Sequence, residues 1–223
     1  ANLERVLAPM TRYFLHDLGL TKSQFRTVLY KFPRLFTNSL AKVQRTIEYL
    51  RHNVGLDLEQ IKKAITRAPN FLGLQYETIH DRVNYLRDSL DLSKEQVVQL
   101  IAAATSLLGY NVERNLQPKL DYLKPRIPLL RTAVLKMPNL LLYSLEKRLQ
   151  PRLDAILDHD LDPMLLTVGI PMKDDAFDEW LYRHVDKKQK SLNEAAPPTT
   201  TPTTTTTTKS GITHWNRERR SPP

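Results

Sequence analysis

The chain contains no cysteine, and glycine is scarce, with six residues in 223. The lack of cysteine excludes disulfides and thiolate metal sites, although it leaves the compartment open. The few glycines argue against a sheet-rich fold, which needs more of them in its turns. No apolar run approaches the ~18 residues that a membrane span requires, so we expect no membrane association. These absences favour a helical fold.

Signatures of catalysis are also missing. The sequence has no HExxH, Walker, GxSxG or GxGxxG motif, and its six histidines are scattered. Asp174, Asp175, Asp178 and Glu179 cluster at one predicted helix start, where carboxylates favour the positive end of the helix dipole. We therefore predict no enzyme activity, no cofactor and no metal site.

The formal charge of +9 is unevenly distributed along the chain. Residues 187–223 hold seven basic and two acidic residues, a net charge of +5. Residues 158–186 hold two basic and eight acidic residues, a net charge of −6. The remaining 24 basic and 14 acidic residues give residues 1–157 a net charge of +10. Such a basic body favours a polyanionic partner.

The sequence repeats itself at an offset of 36 residues. The aligned copies are LGLTKSQFRTVLYKFPRLF (18–36), VGLDLEQIKKAITRAPNFL (54–72) and LDLSKEQVVQLIAAATSLL (90–108). A shorter fourth copy, RTAVLKMPNLL (131–141), is placed in register by Pro138. A second helix with a narrow apolar stripe is predicted after each copy. Because one helix pair is too small to bury its own apolar faces, neighbouring pairs must stack.

Each copy carries signals for where its first helix starts and ends. Capping boxes are predicted at Thr21/Gln24, Asp57/Gln60 and Ser93/Gln96. Helix ends are predicted at Pro33, Pro69 and Pro138, with Thr105 in the place of proline in the third copy. Gly19 and Gly55 suit the left-handed position just past the preceding helix, whereas Asp91 takes that position in the third copy at some strain.

The predicted fold is all-α: a right-handed-type superhelical solenoid of helical repeats over residues 1–186. Within it, residues 1–17 form a truncated first repeat and residues 158–186 an acidic C-terminal cap. Residues 187–223 are predicted to be a disordered, basic, Thr/Pro-rich tail, because PPTTTPTTTTTT cannot form a core. We expect a monomer.

The repeats resemble those of the mitochondrial transcription termination factor (mTERF) family. The likeness is carried by FPRLFTNSLAKVQRTIEYL, APNFLGLQYETIHDRVNYL and MPNLLLYSLEKRLQPRLDAIL. It covers about residues 1–186 and departs from the pattern at Thr105 and in the short fourth repeat. The resemblance implies a superhelical array with a basic groove for nucleic acid, usually duplex DNA, with RNA as the alternative. It also implies a mitochondrial or chloroplast location and a role in transcription, its termination, splicing or ribosome biogenesis, alongside the proteins of those processes.

Basic residues recur at equivalent repeat positions and would form rows along a stacked array. The candidates are Lys31, Arg67 and Lys136 in a first row, Lys42, Arg114 and Lys147 in a second row, and, outside both rows, Arg34, Lys63, Arg82, Arg148 and Arg152. Such rows can follow phosphates along a strand. The alternatives are a solvated helix face and, for the first row, a cation that favours the helix C-terminus.

Two further questions stay open at the level of sequence. Tyrosines can stack on bases, but the recurrence of Tyr49, Tyr85 and Tyr122 favours packing between repeats. A protein-binding scaffold is the competing function, because it is the commonest use of helical repeats. A Pumilio-like array for single-stranded RNA is disfavoured by the recurring proline.

Overall fold

The computed structural model describes the backbone of residues 2–195 and the side chains of residues 7–193. This part of the chain is helical and contains no strand. The α-helices are α1 (Asn2–Arg12), α2 (Lys22–Lys31), α3 (Leu40–Glu48), α4 (Leu58–Arg67), α5 (Tyr76–Leu90), α6 (Lys94–Ala103), α7 (Gln117–Leu123), α8 (Leu130–Lys136), α9 (Gln150–Asp158), α10 (Leu166–Gly169) and α11 (Asp174–Ala195). No described helix has the length and apolarity to cross a membrane.

The chain divides into two units between Arg183 and His184. The first unit holds all the repeats. Helix α11 continues through Ala195, past the predicted start of the tail at 187. The remainder of that predicted tail, 196–223, lies outside the described residues.

Each repeat consists of a first helix, a short 3₁₀ turn and a second helix. The 3₁₀ turns are Pro33–Thr37, Pro69–Gly73, Thr105–Gly109 and Pro138–Leu142. Single π-helical turns adjoin several helices, at Tyr13–Asp17, Tyr49–Val54, Val112–Leu116 and Leu145–Leu149. This order of elements confirms the predicted all-α array of helical repeats.

Local signals set the helix boundaries as predicted. All three capping boxes are present, with the cap side chain and the glutamine side chain each accepting a backbone N–H. The third repeat ends its first helix as the second does, although it lacks the proline: Ala104 has φ −127° and ψ 51°, against −142° and 64° for Ala68. The buried Thr105 hydroxyl donates to the Ile101 carbonyl at 2.9 Å. The missing proline therefore leaves the helix end unchanged.

The junctions between repeats adopt the left-handed conformation predicted for them. The φ angles of Gly19, Gly55 and Asp91 are +67°, +98° and +51°. Asp91 is the strained member, because an L side chain disfavours this region. The guanidinium of Arg131 donates to the Asp91 carbonyl at 3.1 Å and to its carboxylate at 3.2 Å. This contact ties the strained junction to the start of the next repeat.

Stacking of like elements forms the core. The first helices α2, α4, α6 and α8 pack side by side in that order, and the four 3₁₀ turns stack in a parallel row. The third residue of each 3₁₀ turn is apolar and at most 1% exposed: Leu35, Phe71, Leu107 and Leu140. Because these side chains are buried against neighbouring repeats, burial of apolar surface holds the array together.

Candidate nucleic-acid interface

The cations of the first row reach the helix ends of the following repeat. Lys31 Nζ donates to the carbonyls of Thr66 and Arg67 at 2.9 and 3.2 Å. Arg67 Nη1 donates to the Ala103 carbonyl at 2.6 Å. A cation at these C-terminal carbonyls satisfies orphan acceptors and complements the helix dipole. The geometry thus favours the helix-end explanation, with one difference from the prediction: each cation serves the next repeat's helix.

The third repeat keeps this link without a cation. Its row position is Ala103, which has no polar side chain. Gln99, one helical turn earlier, donates from Nε2 to the Leu135 carbonyl at 3.4 Å. Lys136, in the fourth repeat, is exposed and makes no hydrogen bond or ion pair among the described side chains. The first row therefore consists of two cationic links, one amide link and one free lysine.

A second set of cations links the second helices to the following 3₁₀ turn or closing segment. Arg82, Lys119 and Arg152 hold equivalent positions, 37 and 33 residues apart. They donate to the carbonyls of Leu108, Leu141 and Gly169 respectively, the last two at 2.8 and 2.5 Å. The π-helical turns that open the third and fourth second helices each add one residue, which explains the spacing of 37.

The first repeat makes the same link from a different residue. The position equivalent to Arg82 is Thr46, whose buried hydroxyl has no hydrogen-bond partner. Lys42, one helical turn earlier, donates instead to the Gly73 carbonyl at 2.6 Å and to Asn38 Oδ1 at 3.3 Å. Lys42 is half-buried. Its ammonium group is thus engaged within the array.

Arg152 is enclosed by the closing segment of the first unit. The residue is 4% exposed, and its guanidinium lies 4.7 Å from the centre of the Phe177 ring. Besides Gly169, it donates to the carbonyls of Ile170 and Met172 and to Asp174 Oδ1, at 3.0, 2.8 and 2.6 Å. A guanidinium in this position does not reach a phosphate. Arg148 also donates to the Met172 carbonyl, at 2.6 Å.

Five of the eleven predicted cations are exposed and have no polar side-chain contact in the described part of the chain. They are Arg34, Lys63, Arg114, Lys136 and Lys147. Arg114 and Lys147 occupy equivalent π-helical turns, directly after the caps Asn111 and Ser144. We call these five residues the free cations. Because none has a carboxylate to neutralise it, all five are available to phosphate oxygens.

Sequence reasoning missed Lys119, the least expected member of the linking set. It is 4% exposed, donates to Asn115 Oδ1 at 2.7 Å, and lies 4.8 Å from the centre of the Tyr110 ring. Burial lowers the pKa of Lys119 to about 8. The signal was present in the sequence: QPKL at Lys119 and QPRL at Arg152 align in successive second helices.

Replacing Lys119 with methionine should change how stability depends on pH. Between pH 8 and the ordinary lysine pKa near 10.5, the unfolded chain binds more protons than the folded chain, so this lysine makes stability rise with pH. From pH 8 to 9.5, wild type should gain about 1.6 kcal/mol of unfolding free energy relative to Lys119→Met. Urea melts of both proteins at the two pH values measure this gain, and a constant difference would contradict the shifted pKa.

Two of the three recurring tyrosines, Tyr49 and Tyr122, pack between repeats, as predicted. Tyr49 Oη lies 3.2 Å from His80 Nδ1, and the Tyr122 hydroxyl donates to Asp154, in each case one repeat further on. The Arg126 guanidinium also covers the Tyr122 ring at 4.1 Å. Both hydroxyls are thereby engaged in contacts between repeats.

The predicted acidic cluster lies at a helix start. Asp174 and Asp175 occupy the first turn of α11, where their charge favours the positive end of the helix dipole. Among the described residues, no three His, Asp or Glu side chains are placed to hold a metal ion.

Comparison with known proteins agrees with this architecture. The mTERF family model matches residues 10–178, which cover the end of the truncated first repeat, the four repeats and most of the acidic cap. No curated protein is significantly similar to the chain. Proteins of the mTERF family are helical-repeat, nucleic-acid-binding factors of organellar gene expression and are generally not enzymes. Because the match spans well over half of the sequence, the chain belongs to the mTERF family.

Proposed function

We propose that the array binds duplex DNA through the free cations and regulates transcription, or its termination, in a mitochondrion or chloroplast. The observation that carries the proposal is the division of the predicted cations into two classes. One class is engaged by backbone carbonyls within the fold, whereas Arg34, Lys63, Arg114, Lys136 and Lys147 have no polar partner among the described residues. Family membership supports nucleic acid as the ligand.

Duplex DNA fits the chemistry of the free cations. Lysine and arginine contacts to phosphates position a protein on the duplex without reading its sequence. Each phosphate that is neutralised releases condensed counterions, so five contacts give a log K against log salt slope of about −4.5. Binding by this set is therefore strongly salt-dependent and only weakly dependent on base sequence.

A salt titration of the full chain tests the proposal. We expect fluorescence anisotropy with a labelled duplex of about 20 base pairs to show binding that weakens steeply as salt rises. An unlabelled duplex of unrelated sequence should compete almost equally well, because phosphate contacts carry no sequence information. Absence of duplex binding at low salt, by a protein whose circular dichroism is helical, would refute the proposal.

A further inference from the structure

We infer that Tyr30 is a stacking platform for an unpaired base, and that the first repeat thereby holds a single-stranded segment of nucleic acid. This inference rests on the proposed function and deepens it. It adds that one part of the bound nucleic acid is single-stranded and that Tyr30 contacts a base there. Unpaired DNA and unpaired RNA bases share the chemistry involved, which is an accessible aromatic face.

Tyr30 is exposed without a structural reason. It is 87% exposed, next to the last residue of α2, and its ring makes no aromatic or cation–π contact with the described side chains. Its equivalents in the next two repeats are Thr66 and Ala102, so the position does not require an aromatic residue. Tyr49 and Tyr122, in contrast, recur and bond to the next repeat. Packing therefore does not account for Tyr30.

The sequence around Tyr30 is basic and contains no acidic residue. The segment between Asp17 and Glu48 has no acidic residue, and its six basic residues are Lys22, Arg26, Lys31, Arg34, Lys42 and Arg45. Arg26 lies one helical turn before Tyr30 on the same face of α2, and Arg34 follows in the 3₁₀ turn. Both arginines are exposed and make no side-chain hydrogen bond or ion pair in the described part of the chain.

An exposed aromatic ring with an exposed arginine four residues before it and another four residues after it matches the chemistry of a nucleotide. The ring stacks on a base, and the two arginines can hold the phosphates on either side. Every base has a π-face, so such a platform tolerates any sequence. In a duplex the base faces are already covered by neighbouring base pairs, so Tyr30 distinguishes unpaired from paired strands.

The test compares Tyr30→Ala and Tyr30→Phe with wild type as full chains. Three ligands are used: single-stranded DNA and single-stranded RNA of about 12 nucleotides, and a duplex of about 20 base pairs. Tyr30→Ala should weaken binding to at least one single strand by about 5- to 100-fold. Duplex affinity should change less than about twofold, because the lost contact is to a base face. Tyr30→Phe keeps the ring and should bind like wild type.

Tyr182→Ala is the matched control, because Tyr182 is 58% exposed but lies in the acidic helix α11 beside Asp178 and Glu179. It should leave all three affinities unchanged. Unchanged single-strand binding by Tyr30→Ala, with duplex binding intact, would overturn this inference and leave the proposed function standing. Equal losses on single strands and duplex would also overturn it. Failure of wild type to bind the duplex would instead refute the proposed function, whereas duplex binding without binding to either single strand would overturn this inference alone.

Discussion

Replacing Arg152 with leucine should lower the melting temperature of the protein by about 6–12 °C. The substitution removes the guanidinium hydrogen bonds to the carbonyls of Gly169, Ile170 and Met172. The Met172 N–H still donates to Gly169, and Arg148 still donates to Ile170 and Met172. Hydrogen bonds to charged groups contribute about 1.5–3 kcal/mol each, and because each carbonyl keeps a second donor we expect a total loss of about 3 kcal/mol. In a domain of this size, 1 kcal/mol corresponds to about 2–4 °C. The closing segment should loosen first, because Arg152 links it to the last repeat.

Lys147→Gln is the control for this prediction, since Lys147 is an exposed basic residue in the π-helical turn that precedes α9 and has no side-chain partner in the described chain. It should shift the melting temperature by less than about 2 °C, as surface substitutions do. Differential scanning calorimetry of both variants measures the two shifts. Equal, small shifts would show that the Arg152 hydrogen bonds do not hold the closing segment.

Replacing all five free cations with glutamine should weaken duplex binding by at least about 100-fold at 0.1 M salt. The loss is expected to be large because each phosphate contact contributes independently through counterion release. The melting temperature should stay within about 2 °C of wild type, since none of the five side chains has a polar partner in the described structure. Anisotropy titrations and thermal melts of the same preparations check both outcomes. Unchanged affinity in this folded variant would remove the free cations from the interface.

Much of the fold was predictable because its determinants are local. The capping box at Thr21, the helix end at Pro69 and the left-handed glycine at position 55 each follow from residues a few positions apart. Stacking followed from the offset of 36 residues, since equivalent positions in a repeat array become neighbours. The same reasoning placed Tyr49 and Tyr122 between repeats.

The roles of the cations were less predictable, because periodicity shows that positions recur but not where long side chains end. Lys31 and Lys136 hold equivalent positions, yet only Lys31 has a following helix end within hydrogen-bond reach. Arg152 belongs to a periodic set and is buried, because the closing segment folds over it. The presence of a lysine or arginine in the sequence does not show whether its side chain contacts a phosphate or a backbone carbonyl. The distinction needed the positions of the neighbouring carbonyls.

The central claim is that the basic residues of the array divide into links between repeats and free phosphate contacts. The salt dependence of duplex binding tests this claim most directly. The measurement compares wild type, the five-residue free-cation variant and Lys31→Gln/Arg67→Gln. The plot of log K against log salt should be less steep for the free-cation variant than for wild type, by about 4.5 in slope. The Lys31/Arg67 variant should keep the wild-type slope and melt at a lower temperature, because its links to the next repeat are gone. A shallower slope in the Lys31/Arg67 variant, with an unchanged slope in the free-cation variant, would contradict the division.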